Sequence, residues 1–158
     1  MKSKNEEYII YGKINYIFNY NSKTFKNYSV KLLKKIINKN SFNNLSKFID
    51  GKFLIIKIVN KKIISILPDQ FSKIDLFYTN QKNNFYMSDS IENFRNYKNN
   101  FDNISLANLL MNYGSYVPKP KTIYKNIQRL NINEFITINK YFVKLKKKKI
   151  NLIKTSKE

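Results

Sequence analysis

Apolar residues first crowd together between Tyr8 and Asn19, in the run Tyr8-Ile9-Ile10-Tyr11-Gly12-Lys13-Ile14-Asn15-Tyr16-Ile17-Phe18-Asn19. β-Branched and aromatic side chains suit a pleated, half-buried surface, so the run predicts a strand or a bent strand pair. Gly12 inside it predicts a bulge or the close approach of another backbone. A polar loop from Asn19 to Asn27 follows, and then the period changes. Val30, Leu33, Ile36 and Ile37 recur at helical spacing, with Lys31, Lys34 and Lys35 outside the stripe. That spacing predicts a helix capped by Ser29 and running to about Asn38. Phe42 to Ile49 reads as a second, short helix with Leu45, Phe48 and Ile49 apolar.

The middle of the chain changes to strand chemistry. Phe53–Asn60 and Lys61–Leu67 predict a hairpin turning at Asn60-Lys61. Leu54, Ile55 and Ile56 are consecutive rather than alternating, which suits a strand buried on both faces. Asp75–Thr79 and Asn84–Ser88 predict another strand pair across the polar turn Asn80-Gln81-Lys82-Asn83. Ser90 is placed to cap a short helix with Glu92 in its first turn. Ser105 is placed to cap a longer one, with Leu106, Leu109, Leu110 and Tyr113 as its stripe and Gly114 as its stop. Pro118 and Pro120 enforce extended backbone. Phe135-Ile136-Thr137-Ile138 and Tyr141-Phe142-Val143 form the last predicted hairpin, and Lys146–Lys149 opens a basic tail. The order of elements is that of an α+β protein. At 158 residues the chain reads as one domain over 1–145 followed by a tail over 146–158.

Composition narrows the chemistry. The chain has no cysteine and no histidine. Thiolate nucleophiles, disulfides, zinc–sulfur sites and a Ser-His-Asp triad are therefore absent from it. The ten carboxylates are scattered, with no spacing that suggests paired acid–base work or a metal cage; no cofactor is implied. The formal charge is +20, yet all the basic residues except Arg95 and Arg129 are lysines. Arginine is the residue of bidentate phosphate and base-edge recognition. Lys, Asn and Ile abound in every element, the signature of A+T-rich codons, so the charge implies non-specific polyanion attraction rather than a reading head. No apolar run has the length of a membrane span and no signal-peptide core is visible, which makes the cytoplasm the expected compartment.

Several short motifs follow one another in a set order. Gly51-Lys52-Phe53 opens the buried hairpin. Pro68-Asp69-Gln70-Phe71-Ser72-Lys73-Ile74-Asp75-Leu76-Phe77-Tyr78 follows it, then Ser88-Asp89-Ser90-Ile91-Glu92-Asn93-Phe94. A helix from Ser105, the segment Lys119–Tyr124, the pair Ile127 and Leu130, and a closing strand Glu134–Ile138 complete the set. This order resembles the glutaminase-type domain of asparagine synthetases and their relatives. In that family the second motif is R-D-x-x-G-x-x-P-L-Y-Y. Asp69 and the tail Leu76-Phe77-Tyr78 match it, while Pro68, Ser72 and Asp75 stand where the family has Arg, Gly and Pro.

The resemblance implies an N-terminal-nucleophile fold, a sandwich of antiparallel sheets between helical layers, shortened at its N-terminus. It also implies a lost reaction. The family attacks the glutamine amide with a terminal cysteine thiolate and holds the oxyanion with an Asn-Gly pair. Here position 2 is Lys2. If the family's Asn-Gly-Glu-Ile-Tyr-Asn strand corresponds to Tyr11–Tyr16, only Gly12 and Ile14 agree with it. No catalytic residue is assigned, and Gly12 and Asp69 are the only family-motif positions with a claim on substrate. The strand that bears the nucleophile is missing in this alignment, which predicts an open edge or gap in the sheet. No Ser-Gly-Gly-x-Asp-Ser pyrophosphate loop follows. The expectation is a non-catalytic subunit on a synthetase-type partner, with Lys119, Lys121 and Arg129 as possible points of contact. Three alternatives stand beside it: a truncated fragment of such a protein, a lysine-rich nucleic-acid-binding module stacking bases on Tyr8, Tyr11, Tyr16 and Phe18, and residual chemistry from a processed terminus at Ser3.

Overall fold

The computed structural model describes residues 6–81, 84–97, 100–111, 117–139 and 143–148. It is a mixed α+β structure in which every described strand pairing is antiparallel. The chain divides into two compact units: residues up to Ile74 together with those from Ile132 onward, and Asp75–Asn131.

The first unit is built on a six-stranded sheet. β1 (Glu6–Asn19), β2 (Thr24–Asn27), β3 (Ile49–Val59), β4 (Lys62–Pro68), β8 (Glu134–Ile138) and β9 (Val143–Lys147) lie in the order β2-β1-β3-β4-β8-β9. The apolar run at Tyr8–Asn19 is one long strand, and its register against β3 shifts between Ile14 and Tyr16. The β3–β4 hairpin turns at Asn60 (φ 50°) and Lys61 (φ 60°), a pair of left-handed residues whose twist suits two-residue hairpins. Helix α1 (Val30–Lys39) sets Leu33 and Ile36 against the sheet, where they join Ile14, Ile17, Leu45, Ile49, Phe53, Ile55, Leu67 and Phe135 in one core. Val30 stays exposed, and Ser29 precedes the helix without a side-chain capping bond. The short helix expected at Phe42–Ile49 is a 3₁₀ segment at Phe42–Lys47 that seats Leu45 in the core.

Consecutive residues are buried in three neighbouring strands: Leu54 with Ile55, Ile66 with Leu67, and Phe135 with Ile136. Successive side chains point to opposite faces, so the centre of the sheet is buried on both sides, as the unbroken apolar run in β3 predicts. The last strand runs further than its lysines suggest. Lys146 pairs with Phe135 and Lys147 with Glu134, so the segment read as the start of a tail is sheet. Tyr141, Phe142 and Lys149 lie outside the described residues.

The second unit carries β5 (Phe77–Gln81), β6 (Asn84–Ser88) and the two-residue β7 (Gln128–Arg129), in the order β6-β5-β7. A 3₁₀ segment at Ile91–Tyr97 buries Phe94 completely, with the Tyr86 ring edge-on at 4.9 Å. The Ser90 hydroxyl accepts from the Glu92 N–H at 3.2 Å, as its predicted cap position requires. Helix α2 (Asn103–Met111) is capped one turn earlier than expected. The Asp102 carboxylate accepts from the N–H groups of Ile104 and Ser105, and from the Ser105 hydroxyl at 3.1 Å. Ser105 is therefore a buried first-turn residue, not the cap. Burial raises the Asp102 pKa, but the Ser105 hydroxyl and N–H, the Lys121 ammonium and the Ile104 N–H outweigh it and hold the carboxyl below its ordinary value. Leu110, assigned to the apolar stripe, is instead exposed; Tyr113 and Gly114 lie outside the described residues.

Candidate functional site

The two family-motif positions, Gly12 and Asp69, meet through Phe53. Gly12 lies in β1 opposite Phe53 of β3, and the Phe53 carbonyl accepts the Asp69 N–H at 2.9 Å where β4 ends. Gly12 has φ 99°, and a Cβ there would stand 2.3 Å from the Lys52 carbonyl oxygen. Gly51, diagonally across the ladder, has φ 157°, and its Cβ would stand 2.3 Å from the Lys13 carbonyl oxygen. Two glycines thus allow β1 and β3 to touch at backbone distance, the close approach that Gly12 predicts in the sequence.

Asp69 is buried, at 1 % exposure, and its oxygens are engaged locally. One carboxylate oxygen accepts the Phe71 N–H and the other the Lys73 N–H, both at 3.0 Å. Its carbonyl accepts the Ser72 N–H at 3.1 Å. The carboxylate therefore holds a turn over 69–73 by accepting two of its backbone N–H groups. Ser72 completes the turn in the left-handed region, at φ 50°.

Lys148 closes the site. It follows β9, is 5 % exposed, and donates from Nζ to the Asp69 carbonyl, to the Pro68 carbonyl at 3.4 Å and to Ser72 Oγ at 3.3 Å. Ser72 Oγ in turn donates to the Ile132 carbonyl at 3.3 Å. An ammonium whose protons face oxygen acceptors is a donor, not a base. The Lys148–Ser72 pair is therefore arranged to hold backbone and not to activate a serine. Composition alone hides Lys148, because it stands in a run of lysines that all read as solvated tail.

A concavity of about 360 Å³ opens beside Gly12, lined by Ile10, Gly12, Lys13, Ile14 and Tyr28. Lys13 is its one charged lining residue. A second, of about 220 Å³ in the Asp75–Asn131 unit, is lined mainly by Phe77, Ile91, Leu109, Val117 and Ile123. Thr122 also borders it, but its hydroxyl is taken up by the Ile127 carbonyl at 2.7 Å. Among the described residues no group of three or more His, Cys, Asp or Glu could hold a metal ion. No helix among them is long and apolar enough to cross a membrane.

The basic residues offered for a partner are engaged within their own unit. Lys119 pairs with Asp75 at 2.7 Å and Lys121 with Asp102 at 3.5 Å. Arg129 pairs with the other Asp75 oxygen at 3.7 Å and donates to the Val117 carbonyl. The aromatic set proposed for base stacking is divided. Tyr8 lies 6.2 Å from the Phe42 ring and Phe18 sits among Tyr20, Phe25 and Phe48, while Tyr11 and Tyr16 are exposed. Lys2 and Ser3 lie outside the described residues. Comparison with family models, with curated proteins and with solved structures returned no match.

Proposed function

We propose that this chain is a non-catalytic, glutaminase-type domain of the N-terminal-nucleophile kind, allied to the asparagine synthetases. Its role is to support a separate ATP-dependent, amide-forming partner. The observation that carries the reading is the turn over 69–73. The family motif places glycine where Ser72 stands, and Ser72 adopts the left-handed backbone that favours glycine. The motif aspartate at the head of that turn caps it.

The other matching positions are fold residues in the same sense. Gly51 permits a backbone contact, Phe53 is a fully buried core ring, and Leu76 and Tyr78 are buried. Thr122 anchors the 122–127 segment through its hydroxyl. What the chain keeps of the motif is scaffold; the thiol that carries the family's reaction has no counterpart among its residues.

The test is capture of the tagged full chain from its native cells. The expected result is co-purification of a protein with a Ser-Gly-Gly-x-Asp-Ser loop that forms an amide from a carboxylate and ammonium, using ATP to activate the carboxylate. Recovery of the chain with nucleic acid alone, released by moderate salt, would overturn the partner assignment.

A further inference from the structure

β1 has 14 residues, but its two neighbours do not cover it equally. β3 pairs with it from Glu6 to Ile17, whereas β2 pairs only with Tyr16–Asn19. Among the described residues, no strand pairs with the outer side of Glu7–Ile14; at Asn15 the carbonyl accepts the N–H of Tyr28, just past β2, at 3.0 Å. An edge of that length is a template for another strand unless something blunts it. The opposite edge of the same sheet is blunted, because β9 carries Lys144, Lys146 and Lys147. β1 carries no such row of like charges: Glu7 and Lys13 are of opposite sign, Ile9 is 50 % exposed and Ile10 only partly buried, and the segment holds no proline.

The charges along this edge are self-complementary. Glu7 stands three residues before Ile10 and Lys13 three after it. When two copies of β1 run antiparallel about a two-fold axis at Ile10, Glu7 of each lies opposite Lys13 of the other. The same register sets Ile10 against Ile10 and Tyr8 against Gly12. Sliding the pair by two residues places Ile9 or Tyr11 on the axis and separates Glu7 from Lys13. Sliding it by one puts buried-face residues opposite exposed-face ones, which a continuous sheet forbids. We propose that this edge is a homodimer interface, in which β1 pairs with β1 of a second copy to join two six-stranded sheets. The proposal stands on the edge itself and does not depend on the family likeness.

The formal charge of +20 opposes association at low salt, so the test belongs at about 0.15 M salt or above, where screening acts within about 8 Å. The molar mass of the full chain is measured by sedimentation equilibrium across a concentration series, for the parent and three variants. Glu7→Lys and Lys13→Glu each place like charges opposite one another twice, once on each side of the axis. Each is expected to weaken the dimer by about tenfold or more, and the double variant Glu7→Lys/Lys13→Glu to regain most of that loss. Both positions are exposed, and circular dichroism confirms that every variant folds. A parent that stays monomeric throughout overturns the proposal. So does a dimer that the single reversals leave unchanged, or one that the double reversal fails to rescue.

Discussion

Replacing Gly51 with valine is expected to destabilise the protein by about 3–5 kcal/mol. Two costs combine. The added Cβ would lie 2.3 Å from the Lys13 carbonyl oxygen and 2.9 Å from the Ile14 Cα, both main-chain atoms that cannot rotate away. The backbone at φ 157° also lies outside the range that side-chain-bearing residues normally adopt. Relief requires β1 and β3 to separate at the point where Ile14 and Phe53 enter the core. Urea unfolding followed by far-UV circular dichroism measures the loss. Lys34→Ala on the exposed side of α1 serves as the comparison, expected within about 0.5 kcal/mol of the parent. A loss below about 1 kcal/mol at Gly51 would mean that the two strands do not cross as described.

Lys148→Met is expected to cost about 2–3 kcal/mol, although it exchanges a lysine for an apolar side chain of similar length. The Pro68 and Asp69 carbonyls and Ser72 Oγ take donors from Lys148 Nζ in a buried setting. Without the ammonium they keep their desolvation and lose their donor. Methionine fills much of the volume, so a small cavity term leaves the lost hydrogen bonds as the main cost. The same substitution at Lys146, an exposed residue of β9, is the control and should be close to neutral. Equal effects at the two positions would contradict the role given to Lys148.

Legibility in the sequence followed the length scale of each signal. The β3–β4 hairpin was readable because an unbroken apolar run meets a two-residue turn, and the turn residues are the left-handed pair Asn60 and Lys61. Helix α1 was readable because Leu33 and Ile36 recur at helical spacing among lysines. The cap of α2 was misplaced because Asp102 and Ser105 are both good capping residues three positions apart. The fold uses them together, one accepting and one donating. The end of the sheet was missed for a compositional reason. Val143 and Leu145 are the only apolar residues in a lysine-rich strand, and nothing local separates Lys148 from Lys146 or Lys144. Lys148 differs only through acceptors about eighty positions earlier in the chain.

The candidate site shows the same limit. Gly12 and Asp69 were legible as positions but not as neighbours, because Phe53 joins them through two different ladders. Their chemistry was less legible still. A lone aspartate in a loop can serve as acid, ligand or cap, and burial beside two backbone donors decides for the cap.

The central claim, that the scaffold persists without its reaction, is tested most directly by measuring glutamate and ammonia formation from glutamine by the purified full chain. No release above that of buffer is expected at any glutamine concentration, since no thiol is present to attack the amide. Sustained turnover that co-purifies with the chain and disappears in a Ser3→Ala variant would overturn that claim and assign the nucleophile to the Ser3 hydroxyl.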